Sequence, residues 1–203
     1  MKPGWIAPNR TALVLIDMQV DFGAPEGAMA RRGCDMGPAQ AALAKAAALT
    51  QAARAAHVSV TFVRLLTHPG GENRIAAEAR ARKGTDDEPD LCVTGTHGAD
   101  FCGAQPQPGE PVISKSHFSA FGRTGLAEQL HNQRIDTLVL AGLTTECCVA
   151  SSAWDALERD FHVFIAADAC AAYEEDLHQG TLKALALSGV TVADTADFVA
   201  AWK

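Results

Sequence analysis

Short runs of β-branched and other apolar residues alternate with longer helical stretches along most of the chain, and this alternation restricts the fold more than any other feature. Residues 11–16 read TALVLI, for example, and residues 137–140 read TLVL. Strands that are apolar throughout and separated by helices are typical of a parallel sheet covered on both faces. The sequence therefore predicts a three-layer, doubly wound α/β sandwich around a six-stranded parallel sheet.

The predicted elements follow one another in a regular order. Strands are expected at residues 11–16, 58–65, 111–114, 137–140, 161–166 and 190–192. Helices are expected where strong helix formers predominate, at residues 40–56, 73–83, 125–132, 148–159, 177–188 and 195–201. The stretch 67–109 is irregular, with Gly70-Gly71, the run 86–89 and a Gln/Pro run, and such a long loop is usually functional or a lid. With no repeat or boundary, residues 1–203 are expected to form one domain.

Bulk properties argue against several classes of protein. A formal net charge of −7 over 203 residues speaks against the basic surface of a nucleic-acid-binding protein. No stretch approaches the roughly 20 apolar residues of a membrane span, and the first apolar run is too short for a signal-peptide core. Six cysteines in a chain of this length do not suggest a disulfide scaffold. We therefore expect a cytoplasmic protein with free thiols.

Residues just past three predicted strands would bring an acid, a base and a thiol to one edge of the sheet. Asp17 follows the first strand, Lys115 the third, and Cys148 lies in the turn after the fourth. The carboxyl ends of strands form the ligand crevice in such sheets. Lys115 and the start of a helix would lower the pKa of the Cys148 thiol, and Asp17 could carry its proton to a leaving amine. N–H groups at the helix start could stabilise an oxyanion.

Each of these residues also has an ordinary structural explanation. An Asp after a strand is often a turn or cap residue, a single Lys is usually on the surface, and Cys is among the most buried residue types. The residues alone leave open whether Cys147 or Cys148 attacks, or whether the adjacent pair is a redox switch. Only the joint placement at one sheet edge favours a catalytic site.

Four motifs, in order, resemble the isochorismatase-like cysteine hydrolases, which include nicotinamidases, N-carbamoylsarcosine amidase, and biuret and ureidoacrylate hydrolases. They are IDMQxDF from residue 16, GTxGA from 95, KxxFSAF from 115 and GxxTxxCV from 142. The resemblance implies the same parallel sheet and a catalytic triad of Asp17, Lys115 and Cys148. It aligns Cys148, not Cys147, with the nucleophile. It also implies a cis peptide bond between Leu143 and Thr144, so that the N–H groups of Thr144 and Cys148 form the oxyanion hole.

Departures from the family pattern narrow the expected substrate. Nicotinamidases carry an Asp-x-His metal site after the second strand, whereas this chain has His68 without that pattern, so no metal or other cofactor is expected. Tyr173 stands near the place where N-carbamoylsarcosine amidase has an arginine for a substrate carboxylate. Phe22 matches a pocket aromatic of biuret-type hydrolases and favours a small, flat amide or ureide. The residues expected to bind substrate are Phe22, Gln19, His117 and Tyr173, although a structural role for His117 fits equally well.

Three functional hypotheses follow. The leading one is cysteine-dependent hydrolysis of a small amide or ureide through a thioester, with release of ammonia or an amine. The second is a vinyl-ether hydrolase, which would not need the thiol, and the third is a family member that binds a small molecule without turnover. The resemblance also implies a homo-oligomer, either a dimer or a tetramer. A zinc site formed by Cys92, His97 and Cys102 is disfavoured because the spacing fits no usual zinc finger.

Overall fold

A six-stranded parallel sheet forms the centre of the computed structural model, which describes residues 1–68, 74–84 and 90–203. Its strands lie in the order β3-β2-β1-β4-β5-β6, and every neighbouring pair is parallel. They are β1 (Thr11–Ile16), β2 (Ser59–Leu65), β3 (Val112–Lys115), β4 (Thr137–Leu143), β5 (His162–Ala171) and β6 (Thr191–Ala193). The predicted fold class is confirmed, whereas the single-domain organisation stays a prediction.

Helices connect the strands and cover both faces of the sheet. They are α1 (Val20–Gly23), α2 (Ala28–Arg31), α3 (Gly37–Ala55), α4 (Arg74–Lys83), α5 (Leu126–Asn132), α6 (Ala150–Leu157), α7 (Glu175–Leu187) and α8 (Thr195–Ala201). The two four-residue helices α1 and α2 escaped prediction because they are too short to show a helical period. Some predicted features lie outside the described residues. They are the helix start at Asn73 and the irregular chain at Gly70-Gly71 and at residues 86–89.

Alternating side chains of β1 explain why both faces of the sheet are covered. Leu13 and Leu15 pack in one apolar cluster with α3 and α8, whereas Val14 and Ile16 pack in a second cluster with α5 and α6. Successive side chains of a strand point to opposite faces, so a strand that is apolar throughout needs cover on both sides. None of the described helices has the length and apolar character that crossing a membrane requires.

The adjacent strands β1 and β4 mark the point where the strand order reverses direction. From this point the chain builds outward through β2 and β3 on one side and through β5 and β6 on the other. A Cβ atom on Gly142 would lie only 2.2 Å from the carbonyl oxygen of Ile16. Gly142 thus allows the ends of β1 and β4 to approach closely, and β4 extends past its predicted end at residue 140. Ligands of doubly wound sheets bind at this kind of crevice.

β5 is also longer than predicted, and a register shift divides it into two halves. Leu140 of β4 pairs with Ile165, but two residues later Gly142 pairs with Cys170. Asp168 lies within the shifted stretch and accepts hydrogen bonds from the Thr195 N–H (2.7 Å) and hydroxyl (2.6 Å). The charged Asp168 interrupts an otherwise apolar run, so the sequence pattern did not predict the second half of the strand. This half carries the chain toward Tyr173.

Candidate active site

Asp17 directly follows β1, and its backbone is fixed by the neighbouring strand. Its N–H donates to the carbonyl oxygen of Val63 at 2.9 Å. Its φ of 51° lies in the left-handed region, which Asp enters more readily than most residues. Such backbone conformations persist where the surroundings impose them, and they cluster at functional sites.

Lys115 is the last residue of β3, two strands away from β1, and its long side chain spans that gap. Adjacent strands lie about 4.8 Å apart, so the side chain has roughly 10 Å to cross. Its Nζ lies 2.6 Å from Asp17 Oδ2 and 3.4 Å from Cys148 Sγ, and it donates to the His117 carbonyl oxygen at 2.9 Å. The structure thus brings together the acid, the ammonium group and the thiol that the sequence predicts.

Cys148 lies in a single π-helical turn, Thr145–Val149, which we call the Cys148 turn. The Val149 N–H donates to the Thr144 carbonyl oxygen at 3.2 Å, a bond between residues five apart. The helix predicted to begin at Cys148 in fact begins at Ala150. The Cys148 carbonyl oxygen accepts from the Ser152 hydroxyl at 2.7 Å, so α6 restrains the turn.

The Leu143–Thr144 peptide bond is cis, which confirms the expectation from the family motif. Among the described residues, no group accepts a hydrogen bond from the Thr144 N–H. The Thr144 hydroxyl donates to Glu146 Oε1 at 2.7 Å, so the side chain is held while the N–H stays available. An amide donor of this kind suits the negative charge of a tetrahedral intermediate.

The Asp17 and Lys115 side chains are both buried away from water. Asp17 is 0% exposed and Lys115 only 3% exposed. Burial raises the pKa of Asp17, although the Lys115 charge opposes that effect. Burial by itself would lower the pKa of Lys115, but the neighbouring Asp17 and Cys148 more than offset it, and that pKa is raised. Lys115 therefore stays protonated at neutral pH, and Asp17 holds a proton more readily than an exposed carboxylate does.

The pKa of the Cys148 thiol is raised, contrary to the expected lowering. The causes are the hydrogen bond with Cys147, the burial of the sulfur and the negative charge of Asp17, against which Lys115 acts. The thiol is therefore protonated at neutral pH and needs a base before it can attack. The Asp17 carboxylate is buried beside this thiol, and a hydrogen bond between the two groups lowers the pKa of Asp17 and raises that of Cys148, so Asp17 is placed to accept the proton.

Gln19 does not fit the substrate-binding role expected for it. Its amide nitrogen donates to the carbonyl oxygens of Leu65 and Ala99, both at 2.9 Å, and its amide oxygen accepts from the Leu65 N–H at 2.8 Å. The side chain is fully buried. Its polar groups are therefore engaged by backbone, which favours a bracing role between β2 and the segment at Ala99.

The other residues expected to bind substrate differ in how far they are exposed to solvent. Phe22 is buried in the core, and its carbonyl oxygen accepts from the Tyr173 hydroxyl at 2.8 Å. Burial raises the pKa of Tyr173, so its hydroxyl stays a neutral donor. His117 is half-buried, and its Nδ1 lies 3.0 Å from the Ser116 hydroxyl oxygen. His117 and Tyr173 keep partial access to solvent.

Asp21 has a structural role that sequence reasoning did not assign. Its buried carboxylate accepts hydrogen bonds from the N–H groups of Ala28 (3.1 Å) and Cys92 (2.8 Å). A Cβ atom on Gly98 would lie 2.2 Å from Asp21 Oδ2, so only glycine fits there. Both residues belong to the recognised motifs, but their contact joins distant parts of the chain and could not be read from spacing.

In the part of the chain that the structure describes, the donor set does not fit a metal centre. Cys92 is buried, whereas His97 is exposed and lies 3.0 Å from Asp100. Within the described ranges, no three His, Cys, Asp or Glu side chains converge in a way that could hold an ion. His68 is exposed as well.

The chain is similar to known proteins in both sequence and fold. The isochorismatase domain model matches residues 11–197. Maleamate amidohydrolase of Pseudomonas putida is 42% identical over 91 residues, which cover 44% of this chain and only 43% of that protein. Ureidoacrylate amidohydrolase RutB of Agrobacterium fabrum is 30% identical over 83% of this chain and 78% of its own length. A cysteine hydrolase crystal structure from Pseudomonas syringae pv. phaseolicola has a TM-score of 0.85 at 23% identity, covering 98% of this chain and 94% of that one, and supports the fold.

Proposed function

Because the chain belongs to the isochorismatase domain family, as its motifs predict, we propose that it is a cysteine-dependent hydrolase of a small amide or ureide. It cleaves a non-peptide C–N bond and releases ammonia or an amine. The single observation that carries the proposal is the buried contact of Lys115 Nζ with both Asp17 Oδ2 (2.6 Å) and Cys148 Sγ (3.4 Å). The amidohydrolase relatives support the reaction class.

In the first half of the proposed reaction, Asp17 takes the Cys148 thiol proton while the sulfur attacks the substrate carbonyl carbon. The new C–S bond places negative charge on the carbonyl oxygen, which the N–H groups of Thr144 and Cys148 stabilise. Lys115 offsets the charge that the sulfur carries before the bond is complete. As the tetrahedral intermediate collapses, the C–N bond breaks and the leaving nitrogen takes the proton back from Asp17.

In the second half, water hydrolyses the thioester on Cys148. Asp17, again a carboxylate, takes a proton from the attacking water, and the resulting tetrahedral intermediate expels the Cys148 sulfur. The sulfur recovers that proton, and the product leaves as a carboxylic acid from an amide or as a carbamic acid from a ureide. The raised pKa of Asp17 suits this double use, because the group takes up a proton and then releases it within each half-reaction.

Substrate recognition is proposed to involve Phe22, Tyr173 and His117. Phe22 and Tyr173 are joined by a hydrogen bond and would supply an aromatic boundary, which suits a flat amide or ureide group. His117 follows Lys115 by two residues and would offer a polar group beside the ammonium. Gln19 is left out of this set because backbone groups occupy its amide.

The test is ammonia release from a panel of small amides, ureides and carbamoylated amines. We expect Cys148→Ala to lower kcat by about 1,000-fold or more on any substrate that the wild type turns over. Cys147→Ala is the matched control, and it should keep at least about a tenth of the activity because its sulfur forms no bond to the substrate. Rapid quenching followed by intact-mass measurement should detect the acyl group on Cys148.

Two outcomes would contradict the proposal. Wild-type ammonia release by Cys148→Ala would show that C–N cleavage does not need the thiol. A vinyl-ether hydrolase breaks a C–O bond instead, so it would be recognised by vinyl-ether cleavage that survives iodoacetamide treatment. Absence of ammonia release from every compound at every pH would favour a small-molecule-binding protein.

The assembly and location of the protein remain predictions. We expect a homo-oligomer, dimer or tetramer, as the family resemblance implies, and light scattering of the purified protein would test it. A cytoplasmic location and the lack of nucleic-acid or membrane partners are expected from the charge and cysteine content of the sequence.

A further inference from the structure

Thr145, the first residue of the Cys148 turn, carries a polar side chain that is fully buried. Its hydroxyl oxygen lies 2.8 Å from Nδ1 of His178 on α7. Buried polar groups are nearly always hydrogen-bonded, and here the partner comes from a different helix. The bond is therefore a tertiary restraint on the turn.

We propose that His178, acting through the Thr145 hydroxyl, is a positioning residue for the Cys148 turn. This inference rests on the proposed amide hydrolysis and adds to it a group that does not touch the substrate. Its role would be to hold the turn in the one orientation that aims the Cys148 sulfur and the Thr144 N–H at the same carbonyl group.

The Cys148 turn needs more than one restraint because it presents several reacting groups at once. Ser152 of α6 bonds to the Cys148 carbonyl oxygen (2.7 Å) and also accepts the Ala120 N–H (2.9 Å) from the loop after Lys115. That contact ties the turn to the lysine side of the site, and His178 ties its first residue to α7. Displacements of about 1 Å at reacting groups can cost roughly 100-fold in rate, so a second anchor has catalytic consequences.

The state of the imidazole suits this bond. Burial lowers the pKa of His178, although the charges of Glu175 and Glu146 oppose the effect. The imidazole is therefore neutral near pH 7, and a neutral imidazole has one nitrogen that can accept the Thr145 hydroxyl hydrogen. His178 also lines two cavities of about 490 and 250 Å³, so a side chain of similar size can replace it without overpacking.

The experiment compares His178→Leu, which cannot bond to the hydroxyl, with His178→Asn, whose amide oxygen can accept its hydrogen. We expect Leu to lower kcat by about 10-fold with KM unchanged, and Asn to restore most of the loss. Gln179→Leu, at the next, exposed position of α7, is the matched control and should leave kcat as in the wild type. A lower melting temperature with normal kcat in His178→Leu would overturn the proposal.

Thr145→Val removes the same hydrogen bond from the other side with little change in shape. If His178 acts through this hydroxyl, the double variant Thr145→Val/His178→Leu should lose no more activity than either single variant. Losses that multiply would show that His178 acts by another route and would overturn the inference. Thr145→Val also carries the test if His178→Leu does not fold.

A crystal structure of His178→Leu provides a readout that needs no substrate. We expect the Cys148 Sγ to Lys115 Nζ distance to exceed its present 3.4 Å by about 1 Å. An unchanged distance would overturn the positioning role even if no amide were ever turned over. Conversely, failure of the whole amide panel with wild-type protein would overturn the proposed function while this distance still tests His178.

Discussion

The Asp17 residue combines an unusual backbone conformation with full burial and an ionic contact to Lys115. Its positive φ and the hydrogen bond from its N–H to β2 fix the backbone of Asp17, and Lys115 holds one of the carboxylate oxygens. Cys148 depends on it, because the pKa of that thiol is raised and a base must remove its proton. At the scale of residues, the proposed mechanism is therefore organised around proton transfer by Asp17.

The pH dependence of hydrolysis should report the state of Asp17. Burial raises its pKa above the ordinary value of about 3.9, so kcat/KM should fall on the acid side at a pH above that value. The direction follows because a protonated carboxyl cannot accept the thiol proton. Initial rates between pH 4 and 8, with each sample returned to pH 7.5 to check recovery, provide the measurement.

Unfolding through Asp17 cannot explain that acid limb. Its pKa is higher in the folded state than in the unfolded chain, so this group favours the fold at low pH and withdraws that support as pH rises through the folded pKa. Undiminished activity at pH 4 would contradict the role of Asp17 as the base.

At the scale of elements, the end of β4 determines whether the site can form. Gly142 lets β4 lie against the end of β1, and the cis peptide bond and the Cys148 turn follow at once. Asp17 and Cys148 are neighbours because these two strands are neighbours. α7 then contributes through His178, which links the turn to the outer layer of the sandwich.

Two alanine substitutions should have opposite effects on the free energy of unfolding. Gly142→Ala places a Cβ atom 2.2 Å from the Ile16 carbonyl oxygen, so we expect a loss of about 3 kcal/mol or more. Gly180→Ala is the matched control within α7, where nothing lies within 4 Å, and it should stabilise the protein by about 0.5–1 kcal/mol. Urea unfolding followed by circular dichroism measures both, and a neutral Gly142→Ala would contradict the close approach of β1 and β4.

At the scale of the whole molecule, the strand order assembles residues that lie far apart in the chain. Asp17, Lys115 and Cys148 follow or end three different parallel strands, and parallel strands share one carboxyl edge. The two apolar clusters pack against opposite faces of the sheet that carries this edge. The proposed chemistry needs no group beyond those that this edge provides.

Exhaustive chelation should leave ammonia release unchanged. The reason is the donor set, since no three ligating side chains converge within residues 1–68, 74–84 and 90–203. The assay compares protein dialysed against a strong chelator with untreated protein, and metal analysis confirms removal. Loss of activity that returns on adding zinc or manganese would show that a metal takes part.

The sequence by itself determined the features that depend on local pattern. β1 and α8 begin and end at their predicted residues, and β1 does so because its unbroken apolar run stops at the charged Asp17. The motifs also identified Asp17, Lys115 and Cys148 as the residues to examine, and the family, the fold class and the cis bond are confirmed. Their catalytic roles stay predictions.

Only the tertiary structure decided the features that depend on distant contacts. Gln19 is hydrogen-bonded to Leu65 and Ala99, and Thr145 to His178. Neither pairing can be predicted from the spacing of residues in the sequence. The direction of the Cys148 pKa shift was wrong at the sequence level because burial and neighbouring groups outweigh the Lys115 charge. Local periodicity reports which side chains are buried. Desolvation and hydrogen bonding depend on which distant groups share that burial, and only the packed chain fixes them.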